Sequence, residues 1–191
     1  MSSPIHEFTV NVPRWSPYIA PVEMEKATPE QLDAMKVTPS NKKISEYVLT
    51  LAHDPESLAV RSPLFNAIMY GKEGLAPAER ELGAIGSSIV NRCVYCAAVH
   101  GSRYNQLTKR TDVVEKIFTD ETEAELDEYS QAVFDFAVAL AKSPPAAREE
   151  HVQDLEGLGF ATLDAVDLVL ATAIFGWANR LMHILGEPVQ S

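Results

Sequence analysis

The sequence predicts an all-α fold, and three observations carry that prediction. Apolar residues recur at helical spacing almost everywhere after residue 27. Helix-start signatures recur, Thr28-Pro29-Glu30-Gln31 and Thr122-Glu123-Ala124-Glu125 being the clearest. No stretch shows strand alternation, a Gly-rich phosphate loop or an internal repeat. A chain of 191 residues is long enough for one domain with a proper core.

Residues 1–27 read as an arm. Pro4, Pro13, Pro17 and Pro21 exclude a continuous helix or a central strand there, while Trp15, Tyr18 and Ile19 give the arm something to bury against the body or a neighbouring subunit. Residues 28–191 read as one helical domain. Thr28 is expected to cap a short helix to about Met35, with Gln31 closing the capping box. Thr38-Pro39-Ser40 breaks the chain, and Ile44, Val48 and Leu51 predict a helix over 41–53. Asp54-Pro55 opens the next, in which Pro63 is expected to kink or split the run before Gly71 and Gly74.

Ala76-Pro77 starts a helix with an apolar stripe of Leu82, Ile85 and Ile89. Its Gly83, Gly86 and Ser87 would let another helix approach closely. A further helix is expected from Cys93 to about Leu107, with Asn91 as its candidate N-cap, and a short one from Val113 to Phe118. The Thr122 box should open a long helix to about Lys142, stopped by Ser143-Pro144-Pro145. Arg148 to Leu155 and Leu163 to Leu185 complete the set. The last is apolar around most of its circumference near Ala171 to Ala178, as a central or interface helix is.

Composition narrows the function. A formal net charge of −11 repels nucleic acid and anionic membrane surfaces, and the Lys and Arg residues form no stripe. The start lacks a basic region followed by an apolar run, and the longest mostly apolar uncharged stretch, Leu168 to Asn179, is shorter than the roughly 20 residues of a bilayer span. The expectation is a cytoplasmic protein with no nucleic-acid or membrane partner.

The two cysteines, Cys93 and Cys96, are three positions apart. A disulfide between them closes so small a loop that it adds little stability, so reactivity is the better use. At about 100° per residue, Cys93, Cys96 and His100 share one helix face. A helix N-terminus and an imidazolium both favour thiolate. Such a pair attacks a disulfide or peroxide with one sulfur and resolves with the other. Three alternatives stand beside this: two simply buried cysteines, a zinc-binding or assembly module using Cys93, Cys96 and His100, and an exposed Glu81 next to Glu79 and Arg80 with no role. Glu81 joins the site only if the chain bends near Asn91-Arg92. His6, His53, His151 and His183 are isolated, Phe175 and Trp177 are left to core or subunit contact, and Asn179-Arg180, able to face a pocket on that helix, are left out of the site.

Glu81, the small and apolar helix after it, and Asn91-Arg92-Cys93-Val94-Tyr95-Cys96-Ala97-Ala98-Val99-His100 resemble the alkylhydroperoxidase D-like group of the carboxymuconolactone decarboxylase superfamily, over roughly residues 44–110. The Pro-rich arm and length are most similar to its peroxidase-related branch. The resemblance implies a helical fold forming homo-oligomers, trimers or hexamers, and peroxidase or disulfide-reductase activity on a peroxide or disulfide with an unknown thiol reductant and no cofactor. It implies Cys96 as the attacking cysteine, Cys93 as its partner, His100 as proton relay and Glu81 as the carboxylate completing it. Tyr95 stands where some members carry histidine. A cofactor-free lyase is the other activity of the superfamily, one that works without the cysteine pair.

Overall fold

The computed structural model describes residues 3–36 and 44–190; the break expected at Thr38-Pro39-Ser40 lies outside them. Among the described residues there are nine α-helices: α1 Pro29–Ala34, α2 Glu46–Leu51, α3 Pro55–Tyr70, α4 Pro77–Val90, α5 Val94–Thr108, α6 Asp112–Asp120, α7 Glu128–Ala141, α8 Glu149–Gly157 and α9 Thr162–Leu185. The fold is mostly helical, with one addition that the sequence reading lacked. Arg14–Pro17 (β1) and Gly186–Val189 (β2) form a two-stranded antiparallel ribbon.

That ribbon explains the arm. β2 follows α9 without a connecting loop and gives the arm an edge to pair with. Proline is tolerated on such an edge, where no ladder bond is asked of its nitrogen. Trp15 is buried and donates its indole N–H to the Met182 carbonyl at 3.3 Å. Tyr18 and Ile19, expected to be buried, are exposed. On the other side of β2, Pro4 bridges to Val189 and Ile5 N–H donates to the Pro188 carbonyl at 2.9 Å. The arm is thus tied to both edges of the chain's own C-terminal strand.

Local chemistry sets most helix starts. Thr28 and Gln31 make the expected capping box. Asp54 accepts from Ser57 N–H ahead of Pro55, and α3 runs unbroken through Pro63, which lies on its exposed face. There the carbonyl that a proline leaves unpaired remains open to water. α2 starts later than expected because Ser45 caps it through Val48 N–H. The expected start of α7 at Thr122 is wrong. Glu121–Glu123 form one 3₁₀ turn, and Asp127 caps α7 by accepting from Ser130 N–H and Oγ while pairing with Arg110 at 3.0 Å. A carboxylate that satisfies a helix start and a guanidinium together outcompetes a threonine hydroxyl.

α4 is the central element. Arg80 to Ile89 are buried without a break, and α5, α7 and α9 pack around them. Glycine makes that closeness possible. A Cβ on Gly86 would stand 2.7 Å from the Ala137 Cβ of α7, and one on Gly83 would stand 2.9 Å from a Leu168 methyl of α9. α9 is long and apolar enough to span a bilayer by length and composition alone. In this fold its buried side, Leu168, Ala171, Thr172, Phe175 and Asn179, lies against α4 and the site.

Arg80 fastens the start of α4. The residue is 1% exposed, and its guanidinium donates to the carbonyls of Leu75 (2.7 Å), Glu73 (2.7 Å) and Ile68, and to Asp167 of α9 at 2.8 Å. The fixed fork of arginine suits this set of acceptors. The residue before Glu81 is therefore internal scaffolding, not the surface neighbour that the sequence reading pictured.

Candidate active site

The cysteine segment is set by a sharp corner between α4 and α5. Arg92 adopts a left-handed φ of 56°, and Cys93 N–H donates to the Ser88 carbonyl at 2.8 Å. The chain turns back so that α5 packs on α4. Asn91, expected to cap α5, ends α4 instead. Its side-chain N–H₂ donates to the Ser87 carbonyl at 2.8 Å, and Cys93 itself occupies the N-cap of α5.

That corner brings Glu81 to His100. The His100 Nδ1–H donates to Glu81 Oε2, and both side chains are buried, Glu81 being 2% exposed and His100 8%. A ring whose Nδ1 proton is held by a carboxylate presents Nε2 for proton exchange. Arg103 Nε lies 3.8 Å from the second Glu81 oxygen, and the Phe175 ring meets the imidazole edge-on at 4.3 Å. Tyr70, Glu81, His100, Arg103 and Gln106 line a pocket of about 400 Å³.

Both cysteines are reduced and buried. Their surroundings push the two thiols in opposite directions. The Cys96 thiol and its backbone N–H both donate to the Cys93 sulfur, which pulls the Cys93 thiol below its ordinary range against the opposing effect of burial; Asn179 adds a further donor. The same hydrogen bond to Cys93 pushes the Cys96 thiol well above its ordinary range, and burial adds to this, while Asn179 and the Arg61 guanidinium act the other way. Negative charge at the N-terminus of α5 sits where helix amides favour it. Arg61 itself is packed over the Phe65 ring, 4.5 Å from its centroid, and has no carboxylate ion-pair partner among the described residues.

Asn179 is able to face a pocket in the sequence reading but is left out of the site there. It is fully buried on α9, donates to Ser88 Oγ at 3.2 Å and accepts from Asn91 Nδ2 at 3.4 Å, so its orientation is fixed from two sides. Phase was the available signal: Phe175 and Asn179 are four apart on the buried face of α9. Trp177 is half-exposed and Arg180 exposed. His183, read as isolated, donates from Nε2 to the Asn91 carbonyl at 2.8 Å. His53 meets the Ala20 carbonyl, and His151 accepts from Arg148 N–H. The zinc alternative loses its geometry, because among the described residues no three His, Cys, Asp or Glu side chains converge as a metal site.

Residues 55–143, which contain Glu81, both cysteines and His100, match the model of the carboxymuconolactone decarboxylase family. That match and the solved structures of peroxidase-related proteins support the alkylhydroperoxidase D and carboxymuconolactone decarboxylase superfamily for this chain. Among solved structures, the alkylhydroperoxidase D core of a peroxidase-related protein from Ralstonia eutropha JMP134 is 29% identical, with a TM-score of 0.67 over 75% of this chain and 76% of that one. A peroxidase-related protein from Silicibacter sp. TM1040 is 27% identical, with a TM-score of 0.65 over 73% and 74%. The debrominase Bmp8 is 20% identical and shares the fold over 91% and 92% of the two chains, with a TM-score of 0.74. No curated protein matches the chain. The fold of this chain is thus shared by peroxidase-related proteins and by a debrominase.

Proposed function

We propose that this chain is a thiol-dependent oxidoreductase that reduces a peroxide or a disulfide with Cys93 and Cys96. The observation that carries this reading is the hydrogen bond between Glu81 and His100, which lies one turn beyond Cys96 on α5, beside two buried, free cysteines. A structural cysteine pair needs no oriented imidazole.

The peroxide reaction balances as follows. Cys96 gives its proton toward His100 Nε2 and attacks the peroxide oxygen, the O–O bond breaks, and the alkoxide or hydroxide leaves with that proton. Cys93, already favoured as thiolate, attacks the resulting Cys96 sulfenic acid and displaces water after a second proton is supplied. The disulfide returns to dithiol by exchange with an external thiol. Cys96 as attacker follows the family resemblance. The hydrogen bonds support Cys93 as the ready resolving sulfur, and Glu81 supports His100 in carrying the proton.

The homo-oligomer belongs to the same reading. Leu163, Val166, Leu170, Trp177 and Ile184 form an exposed apolar stripe along α9, the helix pictured as an interface, and we assign it to contact with other copies of the chain.

The test is turnover of hydrogen peroxide or cumene hydroperoxide with a thiol reductant, before and after both thiols are alkylated. The proposal expects activity that alkylation abolishes. Activity that survives alkylation contradicts it and favours the cofactor-free lyase chemistry of the superfamily.

A further inference from the structure

A second pocket shares no lining residue with the one at His100. It encloses about 270 Å³ between the arm, the start of α5 and the end of α9, and Cys93 is part of its lining. Cys96 lines neither this pocket nor the one at His100. We infer that this pocket is the route by which a small uncharged thiol, or its disulfide, exchanges with the pair, and that exchange takes place at the Cys93 sulfur. The inference rests on the redox reading of the pair and adds to it a place and a ligand class.

The walls are built, not incidental. Trp15, Tyr18, Met182 and Pro188 form them. The backbone holds them in place through the β1–β2 pairing, Tyr18 N–H to the Leu185 carbonyl at 2.8 Å, and Ile5 N–H to the Pro188 carbonyl. The volume sits at or below the low end of small-molecule sites, which run on the order of 300–1,000 Å³. A slender thiol fits, and the active-site face of a folded disulfide reductase does not. The charges at the rim select against a strongly anionic ligand. Arg92 is engaged by Glu121 and by the Phe8 ring, at 4.7 Å, and Glu187 adds a carboxylate beside His6 and His183.

The exchange is balanced without a further reactant. The Cys93 thiolate attacks one sulfur of RS–SR, forming a Cys93 mixed disulfide and releasing RS⁻. Cys96 then loses its proton to that thiolate and attacks Cys93, closing the intramolecular disulfide and releasing the second RS⁻. The protein is oxidised by two electrons and RS–SR is reduced by two. In reverse, two equivalents of thiol reduce the protein through the same sulfur.

The experiment uses 2-hydroxyethyl disulfide as probe and reads adducts by intact mass and peptide mapping. In Cys96→Ser, whose hydroxyl still faces Cys93, a stable mixed disulfide should form at Cys93. In Cys93→Ser, adduct formation at Cys96 should be about tenfold slower or more, because reaction follows access and thiolate character. Ile5→Trp, which fills the pocket, should slow the Cys93 adduct about tenfold. Tyr18→Ala, at the rim, should speed reaction with the bulkier glutathione disulfide. Circular dichroism checks the fold of each variant. Faster reaction at Cys96, no adduct at either cysteine, or rates indifferent to both pocket variants would overturn the inference. An adduct at Cys93 in a protein whose thiols resist peroxide would sink the peroxide branch of the proposed function while leaving the route intact.

Discussion

Glu81 and His100 lie nineteen positions apart and on different helices, yet the His100 Nδ1–H donates to the Glu81 carboxylate within the protein interior. The corner at Asn91-Arg92 makes this contact, and the contact fixes which ring nitrogen faces the chemistry. Glu81→Gln keeps the shape and removes the charge. Hydroperoxide turnover should fall on the order of 100-fold, within the usual range for general acid–base catalysis. In a Cys96→Ser background, the 2-hydroxyethyl disulfide adduct at Cys93 should form at the same rate with or without this change. Equal losses in both assays would show that Glu81 only holds the fold.

Asn179 acts to lower both cysteine thiols, favouring their charged form. The sign follows directly. The Cys93 thiol lies below its ordinary range, so its alkylation rate should have a pH midpoint below the roughly 8.5 of a free cysteine. Reactivity is present above that midpoint and lost as pH falls through it. Asn179→Ala should move the midpoint upward and cost about 1 kcal/mol of stability. An unchanged midpoint in iodoacetamide kinetics would remove Asn179 from the site.

Much of this site was legible because its chemistry is local. Cys93, Cys96 and His100 share one helix, and their phase could be read from spacing. Glu81 required a turn of the chain. The Arg92 φ of 56° supplies it, at a residue type that does not announce a left-handed conformation as glycine does. Asn179 lies 86 positions beyond Cys93 in the sequence and enters only because α9 packs on α4. The ribbon was hidden for a different reason. Four-residue strands containing Pro17 and Pro188 carry no alternation, and they pair because Trp15 buries its ring and bonds Met182. At Thr122 the local signal was genuine but lost to Asp127, whose carboxylate is held by Arg110, a partner 17 positions away.

Arg80 is buried with four acceptors around its guanidinium. Arg80→Met should leave Asp167 without its charge partner and free three carbonyls, costing about 3–5 kcal/mol as for a broken buried pair. Thermal denaturation monitored by circular dichroism measures this. A loss below 1 kcal/mol on the same scale would show that the cluster is dispensable.

The packing of α4 on α7 leaves no room at Gly86, where a Cβ would meet that of Ala137 at 2.7 Å. Gly86→Val should cost about 1–3 kcal/mol by overpacking and lower activity by displacing Glu81 on the same helix. Equilibrium urea unfolding tests the first effect and peroxide turnover the second.

The exposed stripe on α9 sets the assembly prediction. Trp177→Glu and Ile184→Glu, introduced together, should convert an oligomer to smaller species in light scattering coupled to size exclusion. A wild-type chain that is monomeric at all concentrations contradicts the assignment of this face.

The central claim is that Cys93 and Cys96 form one redox couple served by Glu81 and His100. One measurement addresses it most directly: intact mass and non-reducing peptide mapping of the reduced protein after one equivalent of cumene hydroperoxide. The predicted result is a loss of two hydrogens and a peptide linking Cys93 to Cys96, reversed by 2-mercaptoethanol. Thiols that remain unchanged at both positions would contradict the account.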